Sequence, residues 1–185
     1  MIYGKHIRLR AIEKEFLPLF VAWLNYPEVR ANIAAILPFS LDEENNWYEN
    51  MLKNPQAERP LTIEVSQDGG WVPIGNCGLH AIDSRNRSSE FGIFIGDKTY
   101  WNRGYGSEAV QLMVRHGFTT LNLHRIYLRT FETNLRAIHV YEKAGFIHEG
   151  RFRQAEYRNG KYIDVLFMSI LKPEWEQRMA QEQPK

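Results

Sequence analysis

The sequence predicts an α+β fold, a mixed β-sheet with helices on both faces, and three observations predict it. Runs that alternate apolar and polar residues, the period of a half-buried strand, fill much of residues 61–95. Strand and helix patterns then take turns from residue 88 onward. Two hairpin signals, Asp68-Gly69-Gly70 and Asn159-Gly160, lie between strand-like runs. Antiparallel strands followed by a strand–helix–strand–helix–strand order require a sheet of mixed direction.

Each element has its own cause. Ile7-Arg8-Leu9-Arg10-Ala11-Ile12 alternates apolar and charged side chains, as a strand does. Glu13 to Asn25 places Phe16, Leu19, Phe20 and Trp23 at helical spacing, and Pro27 is expected to end that helix. Ser40-Leu41-Asp42-Glu43 is a capping box that starts a second helix, over about Leu41 to Leu52. Leu61–Ser66, Val72–Ile82 and Ser88–Ile95 read as strands. On the last of these, Glu90, Gly92 and Phe94 share one face, and Phe91, Ile93 and Ile95 share the other. A helix opens near Gly104, with Val110, Val114 and Phe118 at four-residue spacing. Arg125–Phe131 is a strand, and Asn134 caps a helix that Gly145 stops. A terminal hairpin pairs Phe152–Tyr157 with Tyr162–Ile170. One domain, 1–175, followed by a polar tail, 176–185, accounts for the chain.

Composition sets the limits. The chain has 185 residues, with 44% hydrophobic, 13% aromatic and 24% charged, which is a globular balance. Lys and Arg number 23 against 22 Asp and Glu, a formal charge of +1, so no direct nucleic-acid partner is expected. Cys77 is the only cysteine, which excludes an internal disulfide. The apolar run Phe16–Leu24 has Glu13 and Glu15 ahead of it and no small-residue cleavage site after it, so it reads as a helix rather than a signal peptide. No run approaches the roughly 18 apolar residues of a membrane span, so no membrane partner is expected and the protein reads as cytoplasmic.

The segment richest in chemistry is Tyr100-Trp101-Asn102-Arg103-Gly104-Tyr105-Gly106-Ser107-Glu108-Ala109. Two glycines one residue apart follow a strand and open a helix. Such a turn lets backbone amides approach a ligand closely, and the helix N-terminus adds partial positive charge. Arg103 adds a full one, and a pyrophosphate is the guest that suits this cradle. The dinucleotide fingerprint would require a third glycine where Ala109 stands, and the P-loop would require Gly-Lys-Ser/Thr.

Together with Asn134-Leu-Arg-Ala137-Ile138-His-Val-Tyr141-Glu-Lys143-Ala-Gly145-Phe146, this loop resembles the Gcn5-related N-acetyltransferase (GNAT) superfamily. The likeness runs toward its ribosomal-protein and spermidine acetyltransferase branches. It covers roughly Ile7 to Leu171 and is specific from Ser89 to Phe146. The resemblance implies the acyl-CoA N-acyltransferase fold, a mostly antiparallel sheet splayed in the middle. It also implies transfer of acetyl from acetyl-CoA, the one cosubstrate, directly to a primary amine, without a metal. The family's phosphate signature starts with Gln or Arg, whereas Trp101 stands here, leaving Arg103 as the loop's only basic side chain.

Acetyl transfer to an amine needs a neutral nitrogen, a stabilised oxyanion and a protonated leaving thiolate. The resemblance implies Glu90 as base, through water, and Tyr141 as the acid facing the coenzyme sulfur. A solvated charge and a packed tyrosine are the structural alternatives. Residues 134, 137, 138 and 141 share one helix face by spacing. By resemblance, Phe94 and Ile95 present backbone amides to the thioester. Arg103, Gly104, Tyr105, Gly106 and Ser107 hold the pyrophosphate, and Asn134, Ala137 and Lys143 border the coenzyme. For Arg136 and Lys143, a solvated helix face is an equal reading.

Rival chemistries have weaker patterns. Gly75-Asn76-Cys77-Gly78 with His80 lacks the strand-to-helix elbow of a cysteine nucleophile. His6, His80, His116, His124, His139 and His148 show no paired ligand spacing for zinc. Arg151, Arg153, Arg158 and Lys161 alternate with aromatics, as a solvated hairpin face does. A non-catalytic CoA-binding module, acting as a sensor or through a protein partner, is the alternative of another class. The acceptor remains open among small amines, polyamines and protein N-termini. Asp42, Glu43, Glu44 and Glu49 suit a polyamine, or simply a solvated helix N-terminus. The family also allows a homodimer.

Overall fold

The computed structural model describes residues 1–182. The expected runs become strands, to which the short β1 is added and of which β7 starts earlier than expected: β1 (Ile2–Tyr3), β2 (Ile7–Ala11), β3 (Leu61–Gln67), β4 (Gly70–Asp83), β5 (Ser88–Ile95), β6 (Arg125–Phe131), β7 (Ile147–Arg158) and β8 (Lys161–Leu171). The helices are α1 (Leu17–Leu24), α2 (Pro27–Arg30), α3 (Leu41–Met51), α4 (Tyr105–Thr119), α5 (Leu135–Ala144) and α6 (Lys172–Glu182). The strands form one mixed sheet in the order β1-β2-β3-β4-β5-β6-β8-β7. The chain divides into two compact units, residues 1–80 with 92–113 and residues 81–91 with 114 onward.

In the first unit, β1 to β4 pair antiparallel in succession. The β3–β4 turn has φ of 47° at Asp68 and 79° at Gly69, the two left-handed residues of a tight hairpin turn. The core of this unit gathers Ile12, Leu17, Phe20, Trp23 and Met51, with Phe16, Tyr48 and Phe94 packed against it. Pro27 does not end the first helix as expected. The helix stops at Leu24, and Pro27 opens α2, where its missing N–H costs nothing. The capping box forms as the sequence requires. Glu43 N donates to Ser40 Oγ (3.1 Å), and Ser40 N donates to Glu43 Oε2 (2.7 Å).

In the second unit, β5 and β6 run parallel from Ser88↔Arg125 to Glu90↔Tyr127. β6 pairs antiparallel with β8, and β8 with β7. Asn159 (φ 49°) and Gly160 (φ 79°) make the second tight hairpin turn. The β7 ladder slips at two places, between His148 and Gly150 and between Phe152 and Glu156. Asn134 caps α5, its Oδ1 accepting from Ala137 N (3.3 Å), and Gly145 ends the helix at φ 101°.

The last helix was not expected, because the sequence reads as a polar tail from residue 176. Trp175, Arg178 and Met179, at i, i+3 and i+4, are only half-exposed, so α6 has one packed stripe too sparse to register as a helical pattern. Phe118 lies against Trp175 with ring centroids 5.5 Å apart, and Glu174 accepts from Leu171 N (2.8 Å). Residues 183–185 of that tail lie outside the described residues.

One ion pair in the second unit has a pH signature. Arg125 forks onto Glu149, whose Oε1 also accepts from Ser169 Oγ (2.7 Å). The guanidinium, opposed by some burial and aided by Ser169, holds the Glu149 carboxyl down to about 2. A carboxylate lowered in the folded state stabilises the fold above its unfolded value and loses that contribution as the pH falls toward 2. Glu149→Gln is therefore expected to melt below the wild type at pH 6 and to match it near pH 2. Thermal melts across that range check this.

Candidate active site

The amide cradle lies in the first unit. Asn102 (φ 59°) and Gly104 (φ 86°) turn the chain so that α4 starts at Tyr105. The first-turn amides of a helix have no partner within it, and Tyr105, Gly106 and Ser107 supply them here. A Cβ at Gly104 would meet nothing within 4 Å, so the turn is open on its outer side. A Cβ on Gly106 would lie 3.9 Å from Ile95 Cγ1, so the start of the helix lies beside the end of β5.

Glu108 fixes this helix end to the sheet. Its Oε1 accepts from His6 N (2.9 Å) and its Oε2 meets His6 Nδ1 (3.0 Å). Burial opposes ionisation of Glu108, yet the hydrogen bonds from His6 and its neighbours outweigh it and lower the carboxyl below its ordinary range. Trp101, which replaces the family's Gln or Arg, donates Nε1–H to the carbonyl of Ile95 (2.8 Å). The indole thus closes the last backbone carbonyl of β5, a structural use that its position in the sequence does not disclose.

Arg103 is exposed, with its guanidinium 5.6 Å from the Tyr100 ring centroid, and Tyr100 Oη donates to Gln67 (2.7 Å). These residues, with Val65, Ser66, Thr99 and Tyr105, line a cavity of about 360 Å³. Open amides, one cation and an adjoining cavity suit an anionic ligand with a bulky remainder, as coenzyme A is.

The second unit holds the side chains proposed for proton transfer. Glu90 accepts from Arg129 Nε (2.7 Å) and Nη2 (3.2 Å). No local pattern discloses this fork, because Arg129 belongs to the neighbouring strand β6. Tyr141 is 7% exposed and meets Phe91 edge-on at 6.4 Å and Phe146 at 5.9 Å. Burial pushes its phenol up to about 12. Its hydroxyl has no hydrogen-bond partner among the described residues, yet it is not among the fully enclosed polar atoms, so a ligand can reach it. Glu90 and Phe91 are successive strand residues, so Tyr141 packs on the face of β5 opposite the Glu90 side chain. Ala137 and Asn134 are half-buried on the α5 face of Tyr141, and Lys143 is exposed.

The rival readings find no geometry. Cys77 lies within β4, 1% exposed, and burial pushes its thiol well above the range in which a thiolate forms. The glycines beside it serve packing: a Cβ on Gly75 would fall 2.1 Å from Phe94 O, and one on Gly78 would fall 3.0 Å from Pro60 Cα. Among the described residues, no group of three His, Cys, Asp or Glu side chains is placed to hold a metal. No helix among them is long and apolar enough to cross a membrane.

Comparison with known proteins agrees with this geometry. The family model described as an acetyltransferase (GNAT) domain matches residues 6–147. An uncharacterized N-acetyltransferase, p20, of Bacillus licheniformis is 32% identical over 178 residues, covering 94% of this chain and 97% of that protein. A spermidine N(1)-acetyltransferase of Vibrio cholerae is 34% identical over 136 residues, 74% of this chain and 76% of that protein. The crystal structure of spermidine N-acetyltransferase from Vibrio cholerae in complex with CoA and spermine superimposes with a TM-score of 0.85 at 30% identity, covering 94% of this chain and 99% of that one. With the amide cradle, the mixed-sheet topology and these matches in agreement, the chain belongs to the GNAT acetyltransferase family and is an acetyl-CoA-dependent N-acetyltransferase.

Proposed function

We propose that this enzyme acetylates a small cationic amine of the polyamine class. The observation that carries the donor half is the open first turn of α4, set beside Ile95 and joined to a cavity lined by Arg103. The acceptor half draws support from the spermidine acetyltransferases to which the chain is similar.

Arg103 and the amides of Tyr105, Gly106 and Ser107 hold the pyrophosphate, with Gly104 giving room for its approach. The Phe94 and Ile95 amides stabilise the oxyanion, while Asn134, Ala137 and Lys143 border the coenzyme arm. The neutral amine nitrogen attacks the thioester carbon, and the C–S bond breaks as the carbonyl re-forms. Tyr141 donates its hydroxyl proton toward the departing sulfur. A phenol near 12 is a weaker acid than a thiol, so its main effect is a hydrogen bond to the developing thiolate. Any phenolate formed regains its proton from water at once. Glu90, forked by Arg129, orders the water that takes the proton lost from nitrogen. A single buried cysteine and a dependence on acetyl-CoA support action in the cytoplasm.

Thiol release from acetyl-CoA tests the acceptor, using spermidine, propylamine and short peptides with free N-termini. Spermidine is expected to exceed the peptides at least about tenfold in kcat/KM. Equal or faster reaction with the peptides would overturn the polyamine assignment. Coenzyme binding without thiol release for any amine would favour the sensor instead.

A further inference from the structure

The mechanism above leaves one buried titratable group unused. Glu44 lies on α3, one turn before Tyr48 and two before Met51, so the three share a face. Met51 belongs to the cluster of Phe20 and Trp23, and Tyr48 packs against that cluster, as does Phe94 near the end of β5 that is assigned above to the thioester. Glu44 is 4% exposed.

Its neighbours on the helix behave differently. Asp42 and Glu43 are exposed, and Glu43 is taken up by the capping box. Among the described residues, the Glu44 carboxylate accepts no hydrogen bond and joins no ion pair. It is also not sealed: the enclosed side-chain atoms without a partner belong to Thr62 and Arg158. The side chain is therefore sunk into the protein while its oxygens remain within reach of a ligand.

A buried carboxylate without donors is costly, and the cost is removed when a cation completes the pair. The reacting nitrogen of the acceptor must lose its charge to attack. A nitrogen that stays protonated through the reaction needs a lasting counter-charge once water is excluded. We infer that Glu44 binds the ammonium of the acceptor that is not acetylated, and so makes the enzyme selective for diamines and polyamines over monoamines. This rests on the amine-acetylating reading above and names the residue that selects the acceptor. Burial pushes the Glu44 carboxyl up to about 7, which fits a group awaiting a cation.

Steady-state kinetics of the full chain and Glu44→Gln with spermidine and with propylamine test this. The variant is expected to raise KM for spermidine at least about tenfold while leaving KM for propylamine and for acetyl-CoA unchanged. Its melting temperature without ligand is expected to equal or exceed the wild type at pH 8, because a desolvated charge has been removed. Spermidine alone is expected to raise the melting temperature of the wild type and not of the variant. An unchanged spermidine KM would overturn the inference, as would a lower melting temperature with equal losses on all three substrates. Should the wild type acetylate no polyamine, the acceptor assignment falls, and the spermidine melting shift still decides whether Glu44 holds a cation.

Discussion

Tyr141→Phe is expected to lower turnover about a hundredfold while leaving KM for acetyl-CoA within about twofold, in the range of a lost proton donor. The change removes a single oxygen, and the ring keeps its contacts with Phe91 and Phe146. No hydrogen bond within the protein is broken, so the melting temperature is expected to hold or rise slightly. A tyrosine that merely packs would give the opposite pattern, unchanged turnover with altered stability. The pH profile adds a second check. With its phenol near 12, Tyr141 stays protonated throughout the working range, so any alkaline decline below about pH 10 must come from another group. Thiol-release rates from pH 6 to 10 for both proteins would show the same profile shape at different heights.

Gly75→Ala is expected to be the most damaging small substitution, destabilising the fold by about 1–3 kcal/mol or more. The added Cβ would stand 2.1 Å from the carbonyl oxygen of Phe94 and 2.9 Å from Cα of Ile95, and neither backbone atom can swing aside as a side-chain tip can. Relief requires β4 and β5 to part where β5 presents the amides assigned to the thioester. Loss of stability and a rise in KM for acetyl-CoA should therefore occur together. Urea unfolding and coenzyme kinetics on the same preparation measure both. Retention of wild-type stability would mean that β5 shifts freely at Phe94, which the packing of Phe20 against its ring argues against.

Much of this was legible in the residues, because the strongest local signals are also the strongest local forces. Ser88–Ile95 and Arg125–Phe131 are rich in aromatic and β-branched residues, and both strands fall on those bounds. The Ser40–Glu43 box and the Asn134 cap satisfy their amides within three residues, so no distant partner has to be known. What was not legible depends on long-range partners. Arg129 reaches Glu90 across 39 residues and Glu108 reaches His6 across 102. The Trp101 indole finds its acceptor, the Ile95 carbonyl, only because the chain turns at Lys98–Tyr100 between them. Glu44 looked like one of four acidic residues on a helix, and only its burial sets it apart. α6 escapes a sequence reading because Trp175 and Met179 are the large apolar side chains on its packed side, too few to set a helical period.

The slips in the β7 ladder bear on how this protein behaves when crowded with its own copies. β7 ends the sheet and exposes Ile147, Phe152 and Tyr157, an inviting template for a further strand from another molecule. Two bulges, the second of them holding Gln154 at φ 52°, break the row of hydrogen-bonding groups that such a strand would need. Charged side chains, Glu149, Arg151 and Arg153 among them, stand along the same strand. The other rim is β1, only two residues long. Irregularity and brevity at the sheet margins thus guard the folded enzyme against growing into fibrils, and straightening β7 would remove that guard.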